Sequence, residues 1–212
     1  TTYRIAVDGF YTSPYWEMGS YKLVVSRLAA SAPLASSEDQ PWVGTPSAAP
    51  APAGQVVLGG NGQEADLVWL PSSAAADSDC LEARARLSWV AEEGSRDQFG
   101  IIAYDTAEEP MFGVNVSTAD GSVSLLHPDS HTSRTEQTLI SDEAQDITLH
   151  LDQDRGTWRA SLNGVWIGDE QPIPEGRTFA EMGAQWLPGH GGGRSAVVLQ
   201  EAEVTAGDHA AP

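Results

Sequence analysis

A period of two is written most clearly between residues 147 and 168. Ile147, Leu149 and Leu151 alternate with Thr148, His150 and Asp152. After Asp154-Arg155-Gly156, the apolar Trp158, Ala160 and Leu162 alternate with Thr157, Arg159 and Ser161. Successive side chains of a strand point to opposite faces, so each run buries one face and wets the other. Asn163-Gly164 follows, a pair that accepts positive φ at both turn positions and favours a two-residue hairpin. Val165-Trp166-Ile167 then returns. Strands joined by turns this short must be antiparallel, because a parallel pair needs a crossover of a dozen or more residues.

The same signature recurs elsewhere. Leu81, Ala83, Ala85, Leu87 and Trp89 alternate with Glu82, Arg84, Arg86 and Ser88. Apolar runs at 99–104 and 111–117 read as strands, and Asp120-Gly121 turns the chain into another at 122–127. Segments 179–187 and 195–205 supply the last strands. The Pro-Gly-His-Gly-Gly-Gly run between them (188–193) reads as a movable lip that places His190 and Arg194 near a cleft. A further strand-like run stands at 21–28. No stretch repeats apolar residues at the helical period, and 136–145 leaves room for one short turn. The fold class is therefore all-β, a two-layer antiparallel β-sandwich.

A chain of 212 residues suits one such domain. Residues 1–212 are read as a single domain, with the Pro/Ala-rich stretch 29–54 as a long loop or linker within it. Its five prolines remove ladder donors and its small side chains bury little.

Charge narrows the partners. Asp and Glu number 30 against 11 Lys and Arg, for a net charge of −19. Such a surface repels phosphate backbones, which argues against nucleic acid and anionic membrane as partners. No apolar run approaches the roughly 20 residues of a membrane span. The one cysteine, Cys80, excludes an intrachain disulfide. The compartment is left open, with secretion slightly favoured over the cytoplasm, and the oligomeric state is not legible.

Four pieces of text carry a resemblance: Cys80-Leu-Glu-Ala-Arg-Ala-Arg-Leu87, Phe99-Gly-Ile-Ile-Ala-Tyr104, Ile147-Thr-Leu-His-Leu-Asp-Gln-Asp-Arg-Gly-Thr-Trp158 and Leu162-Asn-Gly-Val165. Together with the closing strand at 196–205, their order resembles the concanavalin A-like lectin/glucanase superfamily and its laminin G-like relatives. The resemblance covers roughly two thirds of the chain, counted against the strand order expected of such a sandwich. It implies a jelly roll of two curved antiparallel sheets, with a glycan on the concave face. The catalytic text of that superfamily is missing. No Glu-x-Asp-x-x-Glu stands on one strand, and the arginine-rich and Gln-x-His motifs of jelly-roll alginate lyases are absent.

The candidate site is a polar sheet face. Glu82, Arg84, Arg86, Asn115, Arg159 and Gln185 are its expected ligand-binding residues: Arg forks match carboxylates, and amides match hydroxyls. Trp186 is added as a ring-stacking residue, with Trp16 and Trp42 as further candidates, while Trp89 and Trp158 fall on apolar faces and are assigned to the core. The leading function is carbohydrate binding, lectin-like, with a glycan or small polar ligand as partner. The alternative is a polysaccharide lyase or glycoside hydrolase on the same face, with His150 as base and Tyr104 as acid. A non-catalytic structural module is the third reading. No cofactor is expected. No metal ligand set is found, and a structural calcium between loops is the one metal role left room for, since Asp152-Gln-Asp154 lacks the further oxygen ligands of a calcium loop.

Overall fold

The computed structural model describes residues 55–59, 65–71, 78–127 and 131–206. The chain divides into two units, Thr1–Leu34 and Ala35–Pro212, and every described residue belongs to the second. The loop expected at 29–54, the strand at 21–28, Trp16 and Trp42 lie outside the described residues.

Twelve strands run through these residues: β1 (Val56–Gly59), β2 (Asp66–Pro71), β3 (Cys80–Ala91), β4 (Gln98–Asp105), β5 (Pro110–Ser117), β6 (Ser122–Leu126), β7 (Thr132–Thr138), β8 (Gln145–Asp152), β9 (Thr157–Leu162), β10 (Val165–Pro172), β11 (Phe179–Leu187) and β12 (Ser195–Ala206). They form two six-stranded antiparallel sheets. The first has the order β1-β12-β3-β8-β9-β10, the second β2-β11-β4-β5-β6-β7. No helix occurs among the described residues. The protein is an all-β sandwich of the jelly-roll type: the alternating text accounts for the strands, and the resemblance implied the jelly roll.

The alternation decides which side chains meet between the sheets. Leu81, Ala83, Ala85, Leu87 and Trp89 of β3 are at most 7% exposed, as are Ile147, Leu149 and Leu151 of β8. From the second sheet come Phe99, Ile101 and Ala103, with Phe112, Val114 and Val116. Phe112 stacks on Trp158 across the two layers, with ring centroids 4.4 Å apart and planes 11° from parallel. Each such large side chain withdrawn from water contributes about 2–3 kcal/mol, so this layer is what clamps the sheets together.

The meander forms as the sequence requires. β8 pairs β9 from Ile147↔Leu162 to Asp152↔Thr157. β9 and β10 are joined through Asn163 and Gly164, at φ 51° and 77°. Strand β7 carries no apolar alternation; its residues are mostly exposed, which suits its place at an edge of the second sheet.

The glycine run at 188–193 is packed down, which corrects its reading as a movable lip. The Gly189 amide donates to Asp97 Oδ1 at 2.8 Å, and the Arg194 amide to Glu92 Oε2 at 3.0 Å. A Cβ at Gly189, Gly191 or Gly193 would collide with the carbonyl oxygens of Arg96, Gly94 and Glu93 in turn. The glycines serve close approach of two backbones.

Candidate functional site

Parity sorts the candidate residues before any distance is measured. In β4, inward Phe99, Ile101 and Ala103 leave Gln98, Gly100, Ile102 and Tyr104 on the outer face of the second sheet. In β5 the outward set is Gly113, Asn115 and Ser117, and in β11 it is Glu181, Gly183 and Gln185. In β3, β8 and β9 the outward residues belong to the first sheet: Glu82, Arg84 and Arg86; Asp146, Thr148 and His150; Arg159 and Ser161.

The expected single polar face is therefore two faces. Glu82, Arg84, Arg86, His150 and Arg159 point outward from the first sheet, whereas Asn115, Gln185 and the buried Tyr104 point outward from the second. His150 and Tyr104 cannot act as base and acid on one substrate, because the hydrophobic core lies between their sheets. Trp186 is corrected as well. It is 0% exposed, it lies within β11 at the inward parity of Met182 and Ala184, and its indole N–H donates to Ser195 Oγ at 2.9 Å.

On the second sheet, registered rows build a patch. Gln185, Gly100, Asn115 and Ser124 face one another across β11, β4, β5 and β6. The next row is Trp69, Gly183, Ile102, Gly113 and Leu126. Glu181 stands beside Tyr104 in the row after that. Three glycines, Gly100, Gly113 and Gly183, stand in these rows and are buried, and neighbouring side chains and backbone fill the space where their Cβ atoms would lie. A Cβ at Gly183 would lie 2.6 Å from Tyr104 Cε2, and one at Gly113 would strike the Ile101 carbonyl oxygen. Trp69 and Tyr104 meet edge to face at 4.5 Å and 72°.

Amides border this apolar centre. Asn115 Nδ2 donates to Gln98 Oε1 at 3.0 Å, while Asn115 Oδ1 is buried without a partner. Burial, then the charge of Glu181, pushes the Tyr104 phenol up to about 12. It stays protonated at neutral pH and can donate a hydrogen bond. Burial, then Glu108, pushes the Glu181 carboxyl upward in turn. No lysine or histidine stands in these three rows; the first ends on β7 with Arg134, the register partner of Ser124, which lies 3.1 Å from Asp120.

The first sheet's outer face is an ionic lattice. Arg84 Nη2 lies 3.0 Å from Asp146 Oδ1, and its Nη1 lies 3.6 Å from Glu203. Arg86 lies 3.8 Å from Asp146. The hydrogen bond and the charge of Asp146 hold the Arg84 guanidinium above its ordinary range. Arg84, Arg86, Glu201, Ala202 and Glu203 line a shallow pocket of about 220 Å³. Its guanidinium groups are already taken up by carboxylates, so it offers little to an incoming anion.

His150 is the best-partnered residue of this face. Its Nδ1 lies 3.1 Å from Glu82 Oε1 and its Nε2 3.1 Å from Ser161 Oγ. A carboxylate only accepts, so Nδ1 donates, and the neutral ring takes the Ser161 hydroxyl proton at Nε2. The order carboxylate, imidazole, hydroxyl is that of a hydrolytic triad. Ser161 is only 3% exposed, however, and β9 is paired on both sides, so its amides are spent in the ladders and supply no oxyanion site. The chain of hydrogen bonds orients its members. Trp166, the cross-strand partner of Ser161, was not among the sequence candidates; its exposure, 39%, is what marks it. Only the parity of β10 could have shown it, and a bulge between Ile167 and Gln171 blurs that parity.

The sequence matches no family model. No curated protein matches it either. Solved structures do share the fold. The carbohydrate recognition domain of Emp47p superposes with a TM-score of 0.62 over 80% of this chain and 90% of that one, at 9% identity. An alginate lyase from Corynebacterium sp. gives 0.51 over 71% of this chain and 75% of that one, at 11% identity. A sialidase gives 0.58 over 79% of this chain, at 11% identity, and the chain spans 17% of its length. Identities this low speak of architecture alone. What the comparisons add to the geometry is that this two-sheet architecture is shared with these solved structures.

Proposed function

We propose that this protein is a carbohydrate-binding, lectin-like β-sandwich, and that it takes a neutral glycan on the outer face of its second sheet. The observation that carries the reading is the Trp69–Tyr104 pair set on one sheet face with the amides of Asn115, Gln98 and Gln185. Aromatic rings offer a π face to the C–H groups of a pyranose, and amides meet its hydroxyls with both donors and acceptors. The unpartnered Asn115 Oδ1 is an acceptor awaiting a donor. The one cation of these rows, Arg134, is paired with Asp120 at the β7 edge, and Glu181 is an acid, so an anionic polysaccharide is disfavoured here.

A glycan array followed by calorimetry tests this. Neutral oligosaccharides should bind, and Trp69→Ala or Asn115→Ala should each weaken binding by about tenfold, the worth of one good contact. Silence across the array, or full binding by both variants, would sink the reading.

An enzyme on the same face is the second reading, favoured by the shared fold of the alginate lyase. Its acid–base groups would be Tyr104 and Glu181 rather than His150. Uronate polymers incubated with the protein should then yield unsaturated-product absorbance, lost in Tyr104→Phe.

A further inference from the structure

We infer that the outer face of the first sheet carries a second ligand site, built on Trp166 and Arg159, that takes a single hexuronate residue. The inference is independent of the reading given for the second sheet.

Arg159 is the odd arginine of its face. Arg84, Arg86 and Arg155 each lie within 4 Å of a carboxylate. No carboxylate among the described residues pairs with Arg159, in a chain holding 30 Asp and Glu. Its guanidinium carbon lies 4.5 Å from the Trp166 ring centroid, its Nε is buried without a partner, and its one hydrogen bond is a long 3.4 Å contact to the Gly168 carbonyl. A guanidinium in this state offers its planar fork to an incoming carboxylate.

Trp166 supplies the other half. It remains 39% exposed although it is held in place, with His150 meeting it edge to face at 4.5 Å and 65°. His150 is fixed in turn by Glu82 and Ser161. An indole in contact with a guanidinium and an imidazole is a rigid plate, and a rigid plate loses little entropy on stacking with a sugar ring.

A plate beside an anionic anchor asks for a ring that bears a carboxylate. The net charge of −19 then limits what carries that ring. A polyuronate would meet repulsion along its length, whereas one hexuronate, terminal or set in a neutral chain, presents a single charge at the arginine.

Intrinsic tryptophan fluorescence and two-dimensional NMR of the whole chain read the site. The probes are methyl β-D-glucuronoside, methyl β-D-glucoside and acetate. The glucuronoside should shift the Trp166 indole resonance and bind about tenfold more tightly than either other probe, as a charge-assisted bond adds to stacking. Arg159→Gln should abolish that preference, and Trp166→Ala should abolish binding, both with near-UV dichroism unchanged elsewhere. Trp69→Ala should leave the glucuronoside affinity unmoved, which separates this site from the one proposed on the second sheet. Equal binding of glucuronoside and glucoside, binding of acetate alone, or an unaltered preference in Arg159→Gln would overturn the inference.

Discussion

The Ser195 hydroxyl donates to Asp97 Oδ2 at 2.7 Å and itself accepts the Trp186 indole N–H at 2.9 Å. A loop carboxylate is thereby tied to the largest core side chain of β11. Asp97 also accepts from the Gly189 amide and, at 3.2 Å, from Ser95 Oγ. It is 5% exposed, and its donors are nearly all that replace its water.

Asp97→Ala should therefore destabilise the fold by about 2–4 kcal/mol, since it strands several buried donors at once. Asp97→Asn keeps one acceptor and should cost less. Urea denaturation measures both, and a loss within error for the alanine variant would refute the account.

A second prediction concerns acid. Arg177 Nε donates to Asp105 Oδ2 at 2.6 Å, and this bond is the main reason the Asp105 carboxyl sits below its ordinary range; burial opposes it, and the amides of Glu109 and Ala107 assist. A depressed carboxyl means the unfolded chain binds more protons, so this stability is complete above the ordinary Asp value and is lost as pH falls through the folded one. Arg177→Ala should cost about 1–3 kcal/mol at pH 7 and flatten the decline of stability below pH 4. Denaturation at a series of pH values checks the sign.

The glycines of the second sheet should differ from one another. Gly183→Ala places its methyl against the Tyr104 and Trp69 rings, which can shift; Gly113→Ala places it against backbone at Ile101. We expect Gly113→Ala to cost about 2–3 kcal/mol and Gly183→Ala less, with the latter changing the near-UV signal of the aromatic pair. Comparable losses in thermal melts would contradict the packing described.

His150 gives a spectroscopic test. Burial is the first cause that holds its imidazole below 6.5; Glu82 opposes by charge and hydrogen bond, and the Arg159 charge lowers it further. Its folded state therefore binds fewer protons than the unfolded chain, so its contribution is present above the unfolded value and lost as pH falls through the folded one. NMR titration should find His150 below the ordinary value for histidine, higher in Arg159→Gln and lower in Glu82→Gln. The opposite order in the two variants would mean that the network is misassigned.

Much of the fold was legible because strand parity is local. Ile147, Leu149 and Leu151 are buried in the order in which they were written, and Asn163-Gly164 turns the chain with both residues at positive φ. Trp89 and Trp158 could be assigned to the core by the same count. Trp186 could not, because the small and polar residues Gly183, Ala184 and Gln185 before it hide the alternation. Strand β7 was hidden because an edge strand facing water on both sides needs no apolar period.

The sequence by itself determined that this is a two-layer β protein, which residues of its regular strands are inside, and that its net charge is strongly negative. Those properties follow from a two-residue period and a charge count, both readable over short distances. Only the tertiary structure decided which outward residues share a face. Parity says that Tyr104 and His150 both point away from the core, but not that β4 joins β11 and β5 while β8 joins β3 and β9. That choice rests on pairings between residues far apart in the chain, such as Gln98 with Leu187, made by packing of the whole core. It turned one expected polar face into two: an amide and aromatic patch on one side, and an arginine and tryptophan site on the other.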